Sequence, residues 1–345
     1  MNKKTYLVTG GLGFMGSWMI KTILDKEPNA FIINIDKMTY ASNPKNLEGI
    51  DEKHCLTIEA DINGSALVRS VLETHRPDSV IHFAAETHVD NSILDPLLFV
   101  KTNVLGTATI LMECKKYWDT LRGSKKDMFR FIHISTDEVF GALRCGDSKF
   151  NEDTPYKPHS PYSASKAGAD HLAQSYYDTY GFPTIITHSC NNYGQNQHYE
   201  KLIPKVISNI ILEKSIPIYG DGQQVRDWLY VQDHCEAVYT ILHKGKIGEV
   251  YVIGANEEHS NIEVVELICE LCDDTIENKR ILSRNLIEFV EDRLGHDFRY
   301  AVDASKLRNE LGWQPKVSFN EGMVKTVLWY LRNHSQILEM EMKNK

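Results

Sequence analysis

Short runs of consecutive apolar residues alternate with longer amphipathic segments through the first two-thirds of the chain. Within most runs the apolar residues follow one another without polar interruption, which predicts strands covered by helices on both sheet faces. The longer segments repeat apolar residues every three or four positions, as an amphipathic helix does. Together they predict an α/β fold with a doubly wound, parallel Rossmann-type sheet.

The pattern also predicts bounds for the elements. Strands are expected at Thr5–Thr9, Phe31–Ile35, Cys55–Glu59, Ser79–Phe83, Phe129–Ile134, Pro183–His188 and Glu249–Ile253. Helices are expected at Phe14–Lys26, Ser65–His75, Asp95–Tyr117, Pro161–Tyr180 and Leu202–Ile211, and a polar loop at Gly123–Asp127.

The regular alternation weakens after about residue 190, which divides the chain into two predicted domains. Residues 1–190 are expected to form a Rossmann-type domain, whose sheet also receives the strand near residues 249–254. Residues 191–335 are expected to form a smaller mixed α/β lobe, and residues 336–345 a frayed tail.

Composition narrows the class of protein. The chain has 345 residues, of which 42% are hydrophobic and 25% charged, which excludes disordered, collagen-like and small disulfide-rich proteins. The net charge of -9 argues against a nucleic-acid partner, and no run of uninterrupted apolar residues approaches the about 18 residues expected of a membrane span. Seven scattered cysteines do not form a disulfide pattern, which favours a reducing, cytoplasmic compartment. Cys269 and Cys272 lack further ligands nearby in sequence, so we expect thiols packed on or beside a helix and no metal site.

A glycine-rich segment follows the first strand directly. Gly10, Gly13 and Gly16 allow a tight turn, a close approach to a pyrophosphate and close packing of helix on strand. Asp36 ends the second strand, where its carboxylate accepts from an adenosine ribose and favours NAD over NADP. Asp61 follows the third strand and either reaches the adenine, with Ile62, or caps a helix.

A second motif begins the helix at Pro161. Ser160 is expected to cap this helix, and Tyr162 and Lys166 lie four residues apart on one face. An ammonium beside a phenol favours the phenolate, so we expect Lys166 to lower the pKa of Tyr162. The pair predicts acid–base chemistry at a hydroxyl group.

The glycine loop, Asp36 and the Tyr162–Lys166 pair together resemble the extended short-chain dehydrogenase/reductase family. Within that family, further segments are similar to the dTDP-glucose 4,6-dehydratases, up to Gly312 and Trp313: Phe83–Asp90, Ser135–Val139, Asn191–Gly194 and Arg226–Val231. The Thr136-Asp137-Glu138 triplet is the discriminating feature, because the related sugar epimerases have small hydroxyl residues where these acids stand.

The resemblance implies a lyase of nucleotide-sugar metabolism and deoxysugar biosynthesis. Its reaction is oxidation of a hexose at C4 by NAD, loss of water across C5–C6 and return of the hydride to C6. The implied catalytic residues are Thr136 near O4, Asp137 as acid, Glu138 as base, Tyr162 and Lys166. The implied NAD-binding residues are Gly10, Gly13, Phe14, Met15, Gly16, Asp36, Asp61, Ile62, Ala84, Ala85, Thr87, Asn103, Ser135, Tyr162 and Lys166.

The substrate implied by the resemblance is dTDP-glucose, converted to dTDP-4-keto-6-deoxyglucose. The implied contacts are Asn191, Lys201, Leu202, Pro217, Arg226, Asn261, Arg293, His296 and Tyr300, and Arg226 suits bidentate phosphate binding. The chain departs from the family pattern at His188, Gln195, Val252 and Leu294. UDP-N-acetylglucosamine and UDP-glucose therefore stay open as substrates.

Other functions remain to be separated from dehydration: a nucleotide-sugar epimerase or decarboxylase, and a non-catalytic NAD-sensing scaffold. The resemblance also implies a homodimer that packs through the helices near Asp95–Tyr117 and Pro161–Tyr180.

Overall fold

The computed structural model describes residues 3–277, 280–293 and 295–335. The predicted tail at residues 336–345 lies outside them, as does Leu294. Within the described residues the strands are β1 (Thr5–Thr9), β2 (Phe31–Asp36), β3 (Cys55–Glu59), β4 (Ser79–His82), β5 (Arg130–Thr136), β6 (Thr184–Ser189), β7 (Asn191–Tyr193), β8 (Ile216–Tyr219), β9 (Val225–Tyr230), β10 (Val250–Ile253), β11 (Glu258–Ser260), β12 (Ile287–Val290) and β13 (Arg299–Tyr300).

The helices of the described chain complete this order. They are α1 (Phe14–Lys26), α2 (Ser65–His75), α3 (Val89–Leu94), α4 (Pro96–Phe99), α5 (Thr107–Thr120), α6 (Ser124–Met128), α7 (Pro161–Tyr180), α8 (Leu202–Ile211), α9 (Val231–Lys244), α10 (Asn261–Thr275), α11 (Ser305–Leu311) and α12 (Phe319–Arg332). Tighter helical turns lie at Pro44–Leu47, Asp137–Phe140 and Ser283–Leu286, and a wider one at Val100–Gly106.

The central sheet of the described chain is parallel throughout and has the strand order β10-β6-β5-β4-β1-β2-β3. Each strand predicted from an apolar run is present, with ends shifted by at most two residues. The chain order reverses between β1 and β4, which opens a crevice at the carboxyl end of the sheet. The predicted fold class is confirmed.

Helices cover both faces of this sheet, which explains the uninterrupted apolar runs. In β1, Leu7 belongs to the apolar core under α2 and α5, whereas Val8 belongs to the core under α1 and α9. Both side chains are fully buried. A strand with two buried faces has no position for an exposed polar residue, so alternation is lost.

The smaller lobe has its own apolar core, enclosed by α8, α10 and α12. Strand β9 pairs with β7, β11 and β13, and β8 pairs with β12. Strand β10 returns to the central sheet and pairs with β6, and α9 packs on α1. Cys269 and Cys272 are buried on α10 in the core of the lobe, as expected. None of the seven cysteines, all of them within the described ranges, forms a disulfide.

One local expectation was wrong. The segment expected as a loop at Gly123–Asp127 contains the short helix α6, because Trp118 holds it against α5: the indole Nε1 donates to Lys126 O at 3.1 Å, and Lys126 Nζ lies 4.1 Å from the centre of the ring. The long helix expected near Asp95–Tyr117 is present as one continuous run, Pro96–Thr120, in which the wide turn Val100–Gly106 joins α4 to α5.

That run, Pro96–Thr120, is long and apolar enough to cross a membrane, but half of its most apolar window is buried within the fold. Core helices of globular proteins have the same property.

A glycine-to-alanine substitution in α1, compared with a control substitution in α7, tests how closely α1 packs on the turn at Gly10. A Cβ at Gly16 in α1 would lie 2.2 Å from the backbone oxygen of Gly10, which cannot move without opening the turn. We expect Gly16→Ala to lower the free energy of unfolding by about 1–3 kcal/mol, measured by urea denaturation.

The matched control is Gly168→Ala in α7, where the nearest atom, on Val104, is 3.4 Å from the added Cβ. There the better helix propensity of alanine should raise the free energy of unfolding by about 0.5–1 kcal/mol. Equal effects at the two positions would contradict this account.

Candidate active site

The glycine loop joins β1 to α1 and leaves the first turn of the helix open. Gly10 has φ of +72°, and Gly13 is the N-cap of α1 with no side-chain cap. The first backbone N–H groups of a helix have no acceptor within the helix, and the helix dipole is positive there. The cradle between Gly10 and Gly16, with these N–H groups at its edge, suits a pyrophosphate.

Asp36, at the end of β2, is buried and already hydrogen-bonded. Its carboxylate accepts from Leu12 N and Met38 N, each at 2.9 Å, and from Ser42 Oγ at 2.6 Å. The residue lines the cleft, but its carboxylate also fixes the loops around that cleft. Asp61 lines the cleft as well; it pairs with Lys37 at 2.9 Å and caps the turn at Asn63, not α2 itself.

A cleft follows the carboxyl end of the sheet, and its empty volume, open solvent at the mouth included, is about 1570 Å³. Most of the residues predicted for NAD and catalysis line it: Gly10, Gly13, Phe14, Met15, Gly16, Asp36, Asp61, Ile62, Ala84, Ala85, Thr87, Ser135, Thr136, Glu138, Tyr162 and Lys166. The glycine cradle and the acid at the end of β2, which both line the cleft, together fit a dinucleotide.

Asn103 is an exception, because it lies behind the wall of the cleft. Its Oδ1 accepts from Glu86 N at 2.8 Å, and its Nδ2 donates to Glu86 O at 3.0 Å and to Ser165 Oγ at 2.8 Å. Asn103 therefore holds the loop that carries Ala85 and Thr87, and the prediction of a direct cofactor contact does not agree with its position.

Helix α7 brings Tyr162 and Lys166 to the cleft. Ser160 caps the helix in a reciprocal capping box with Ser163 and so fixes its first turn. The Lys166 ammonium donates to Ile134 O at 2.7 Å, and burial lowers the pKa of Lys166 to about 8.

The expected lowering of the Tyr162 pKa was wrong for the protein alone. Burial raises this pKa, the Glu138 carboxyl raises it further, and the hydroxyl of Thr136 opposes them. Lys166 directs its ammonium at the backbone of β5, so the phenol keeps its proton.

Asp137 and Glu138 lie on a single tight helical turn directly after β5. The hydroxyl of Thr136 accepts from Glu138 N and donates to Asp137 Oδ1, both at 3.3 Å. Burial, followed by the charge of Glu138, raises the pKa of Asp137 well above its usual range. Burial also raises the pKa of Glu138, while the cations of Arg293, Arg226 and Lys201 lower it.

The predicted substrate residues fall into two groups. Asn191 and Lys201 line the cleft, and Lys201 Nζ donates to Thr87 O at 2.9 Å. The others lie beyond the wall of the cleft, in the lobe: Leu202 at the start of α8, Pro217 in β8, Arg226 in β9, Asn261 at the start of α10, Arg293 and His296 before β13, and Tyr300 in β13.

Arg226 is held by the lobe in a fixed orientation. Its guanidinium lies 4.3 Å from the centre of the Tyr300 ring and donates to three backbone oxygens, those of Val225, Asp297 and Phe298. Several N–H groups of Arg226 are therefore already hydrogen-bonded within the protein. A guanidinium nitrogen of Arg293 lies 3.8 Å from Asp90 Oδ1 in α3. His296 Nδ1 lies 2.6 Å from Asp292 Oδ1.

Sequence reasoning missed several residues of the cleft. Glu86 follows β4, and Gln197, His198 and Glu200 lie in the loop after β7. Glu200 interacts with His198 at 3.6 Å and Lys201 at 3.7 Å. The position of these residues after predicted strands could have identified them, because loops at the carboxyl ends of parallel strands meet at the ligand site.

Comparisons with known proteins agree with this geometry. The model of the family described as GDP-mannose 4,6 dehydratase matches residues 7–326. The dTDP-glucose 4,6-dehydratase of Haemophilus influenzae is 50% identical over 333 residues, which are 95% of this chain and 98% of that protein.

Two solved structures resemble the whole chain. The dTDP-glucose 4,6-dehydratase of Bacillus anthracis in complex with NAD has a TM-score of 0.86 at 40% identity and covers 98% of this chain and 99% of its own. The enzyme of the same name from Streptomyces venezuelae, with NAD bound, has a TM-score of 0.89 at 37% identity and covers 97% and 99%. The chain therefore belongs to the family of the dTDP-glucose 4,6-dehydratases.

Proposed function

We propose that the protein converts dTDP-glucose to dTDP-4-keto-6-deoxyglucose and water with NAD held in the cleft. The observation that carries the proposal is the pair of acids Asp137 and Glu138 on one turn directly after β5: Glu138 lines the cleft with Tyr162, and Asp137 is buried behind it, near enough to act on the charge of Tyr162. An epimerase needs no second acid–base pair, because it transfers a hydride without breaking a C–O bond. UDP-glucose and UDP-N-acetylglucosamine remain alternative substrates.

The first step is oxidation at C4. NAD, when bound, supplies the acceptor of the C4 hydride and later the donor of a hydride to C6. Tyr162 takes the proton of the C4 hydroxyl, and Thr136 hydrogen-bonds near the same oxygen. Since burial keeps Tyr162 protonated at rest, its basic form depends on the ammonium of Lys166 on the same helix face.

The second step is elimination. The C4 ketone acidifies the C5 hydrogen, and Glu138 removes that proton. The C6–O bond breaks as the C5=C6 bond forms, and Asp137 gives its proton to the leaving hydroxyl, which departs as water. Burial supports these roles: it raises the pKa of Asp137, which favours the protonated acid, and it raises the pKa of Glu138, which makes Glu138 a stronger base than an exposed carboxylate.

We infer that the two predicted domains bind different ligands. We assign NAD to residues 1–190 together with β10, and the nucleotide sugar to the lobe of residues 191–335. The buried Nε of Arg293 has no partner within the described chain and is a donor for the diphosphate. The substrate set is then Asn191, Lys201, Leu202, Pro217, Arg226, Asn261, Arg293, His296 and Tyr300.

We also propose a cytoplasmic homodimer. Helices α5 and α7 contact each other, and apolar side chains are exposed on the run from Pro96 to Thr120 and on α7: Leu97, Val100, Leu105 and Tyr180. A second copy would cover this surface. The absence of disulfides among the seven cysteines suits a reducing compartment.

Incubation of the purified protein with NAD and each of dTDP-glucose, UDP-glucose and UDP-N-acetylglucosamine tests the function. We expect a 4-keto-6-deoxy product with dTDP-glucose, identified by mass spectrometry, and transfer of a C4 deuterium to C6 within the same molecule. Recovery of only a C4 epimer would identify an epimerase. NAD binding without turnover of any sugar would favour a sensing scaffold.

Glu138→Gln removes the proposed base but keeps the size of the side chain. We expect product formation to fall by about 10²–10⁴-fold, while oxidation at C4 still gives NADH that can be followed by its absorbance. The exposed Glu48→Gln is the matched control and should keep the full rate. Unchanged dehydration by Glu138→Gln would remove Glu138 from this role.

Asp137→Asn should weaken catalysis and stabilise the fold. Below the unfolded-state pKa of about 4, Asp137 is protonated in both states, so its ionisation costs nothing. Above that pH only the unfolded state ionises readily, because the folded pKa is raised. The stability advantage of Asp137→Asn over the parent should therefore grow as the pH rises above about 4, in thermal unfolding. A constant difference across pH would show that Asp137 is not buried as an acid.

A further inference from the structure

A buried polar network lies behind β5, outside the cleft. At its centre is Asp170 of α7, whose side chain is 1% exposed. Its carboxylate accepts from Ser135 Oγ at 2.8 Å and lies 3.0 Å from both His133 Nε2 and His188 Nε2. The proposed reaction uses none of Asp170, His133 and His188, although the network touches the strand that carries the acids.

Asp170 of the network lies on the same face of α7 as Tyr162 and Lys166. Tyr162, Lys166 and Asp170 are spaced by four residues and share one face of α7. Lys166 Nζ binds the backbone of Ile134, while Asp170 binds the side chains on either side of it in sequence, His133 and Ser135. Two charged residues of α7 thus hold three consecutive residues of β5, and the acid–base turn follows directly.

Two histidines meet the Asp170 carboxylate, each through Nε2. In each, Nδ1 is buried without a partner within the described chain, so a second ring proton would be left without an acceptor. Burial lowers the pKa of His133, which keeps its ring neutral. Both rings then donate through Nε2, and their hydrogen bonds outweigh burial and hold the pKa of Asp170 well below its usual range.

The remaining titratable neighbours of the network are Tyr156 and His82. Tyr156, before α7, has its hydroxyl 2.9 Å from His188 Nε2, and burial raises its pKa. His82 of β4 has its ring 5.6 Å from that of His133, and burial lowers its pKa well below the usual value. The ammonium of Lys166 lies one turn before Asp170 on the same face of α7, and the charge of Asp170 opposes the loss of its proton.

We propose that Asp170 is a positioning residue for the reaction: its buried carboxylate is the counter-charge that keeps Lys166 an ammonium, and through Ser135 and His133 it fixes the end of β5 before the acid–base turn. The role of Lys166 in this statement rests on the proposed function. The carboxylate itself does not touch the substrate.

Asp170→Asn keeps the shape of the side chain and removes its charge. Without the carboxylate, Lys166 should lose its proton at lower pH, so activity should fall earlier as the pH rises. For the holoenzyme with dTDP-glucose, we expect the high-pH limb of kcat to move down by at least about one pH unit. Tyr156→Phe, which removes a hydroxyl from the network without changing its charge, should leave that limb in place. An equal loss of activity at every pH, with the limb unmoved, would overturn the proposal.

A stability measurement tests the same charge pairing without turnover. Asp170→Asn leaves a buried ammonium without its counter-charge, whereas Lys166→Met/Asp170→Asn removes both charges. We expect the double variant to unfold at a higher temperature than Asp170→Asn, or to be recovered folded if Asp170→Asn is not. A double variant no more stable than the single one would overturn the counter-charge role. Because unfolding does not depend on the substrate, a parent protein inactive on every sugar would contradict only the proposed function.

Discussion

The site depends on one constraint: its ionisable groups, at the carboxyl end of β5, are buried away from water. Asp137, Glu138, Tyr162 and Lys166 are all displaced from their ordinary pKa values, and burial is the largest cause for each. A buried charge is costly unless it is paired, so this part of the fold is stable only where partners are supplied. Displaced pKa values are also what acid–base chemistry near neutral pH requires.

The parallel sheet supplies those partners by bringing distant segments to one edge. Strand β5 carries the acids, α7 carries Tyr162 and Lys166, and β1 leads into the glycine cradle. The smaller lobe then presents Arg226 and Arg293, whose charges limit the rise in the pKa of Glu138. The glycine cradle, the Tyr162–Lys166 pair and the two acids therefore come together because of strand order, not because of proximity in the chain.

The pattern of apolar and polar residues predicted the strands and helices around the central sheet closely, and those of the smaller lobe poorly. Strands buried on both faces leave long apolar runs, and α1, α2 and α7 were expected with their observed bounds. The short strands β7, β11 and β13 have two or three residues each, too few to show a period. They form because β9 offers them hydrogen-bonding partners, which is tertiary information.

The sequence by itself determined the fold class and the glycine cradle and predicted the catalytic groups, because these depend on residue type and on spacing along one element. Only the tertiary structure decided how each group is charged and what it binds. It placed Asn103 behind the wall, used the donors of Arg226 within the lobe and kept the proton on Tyr162. Desolvation depends on every neighbour that excludes water, and those neighbours come from strands and helices far apart in the chain.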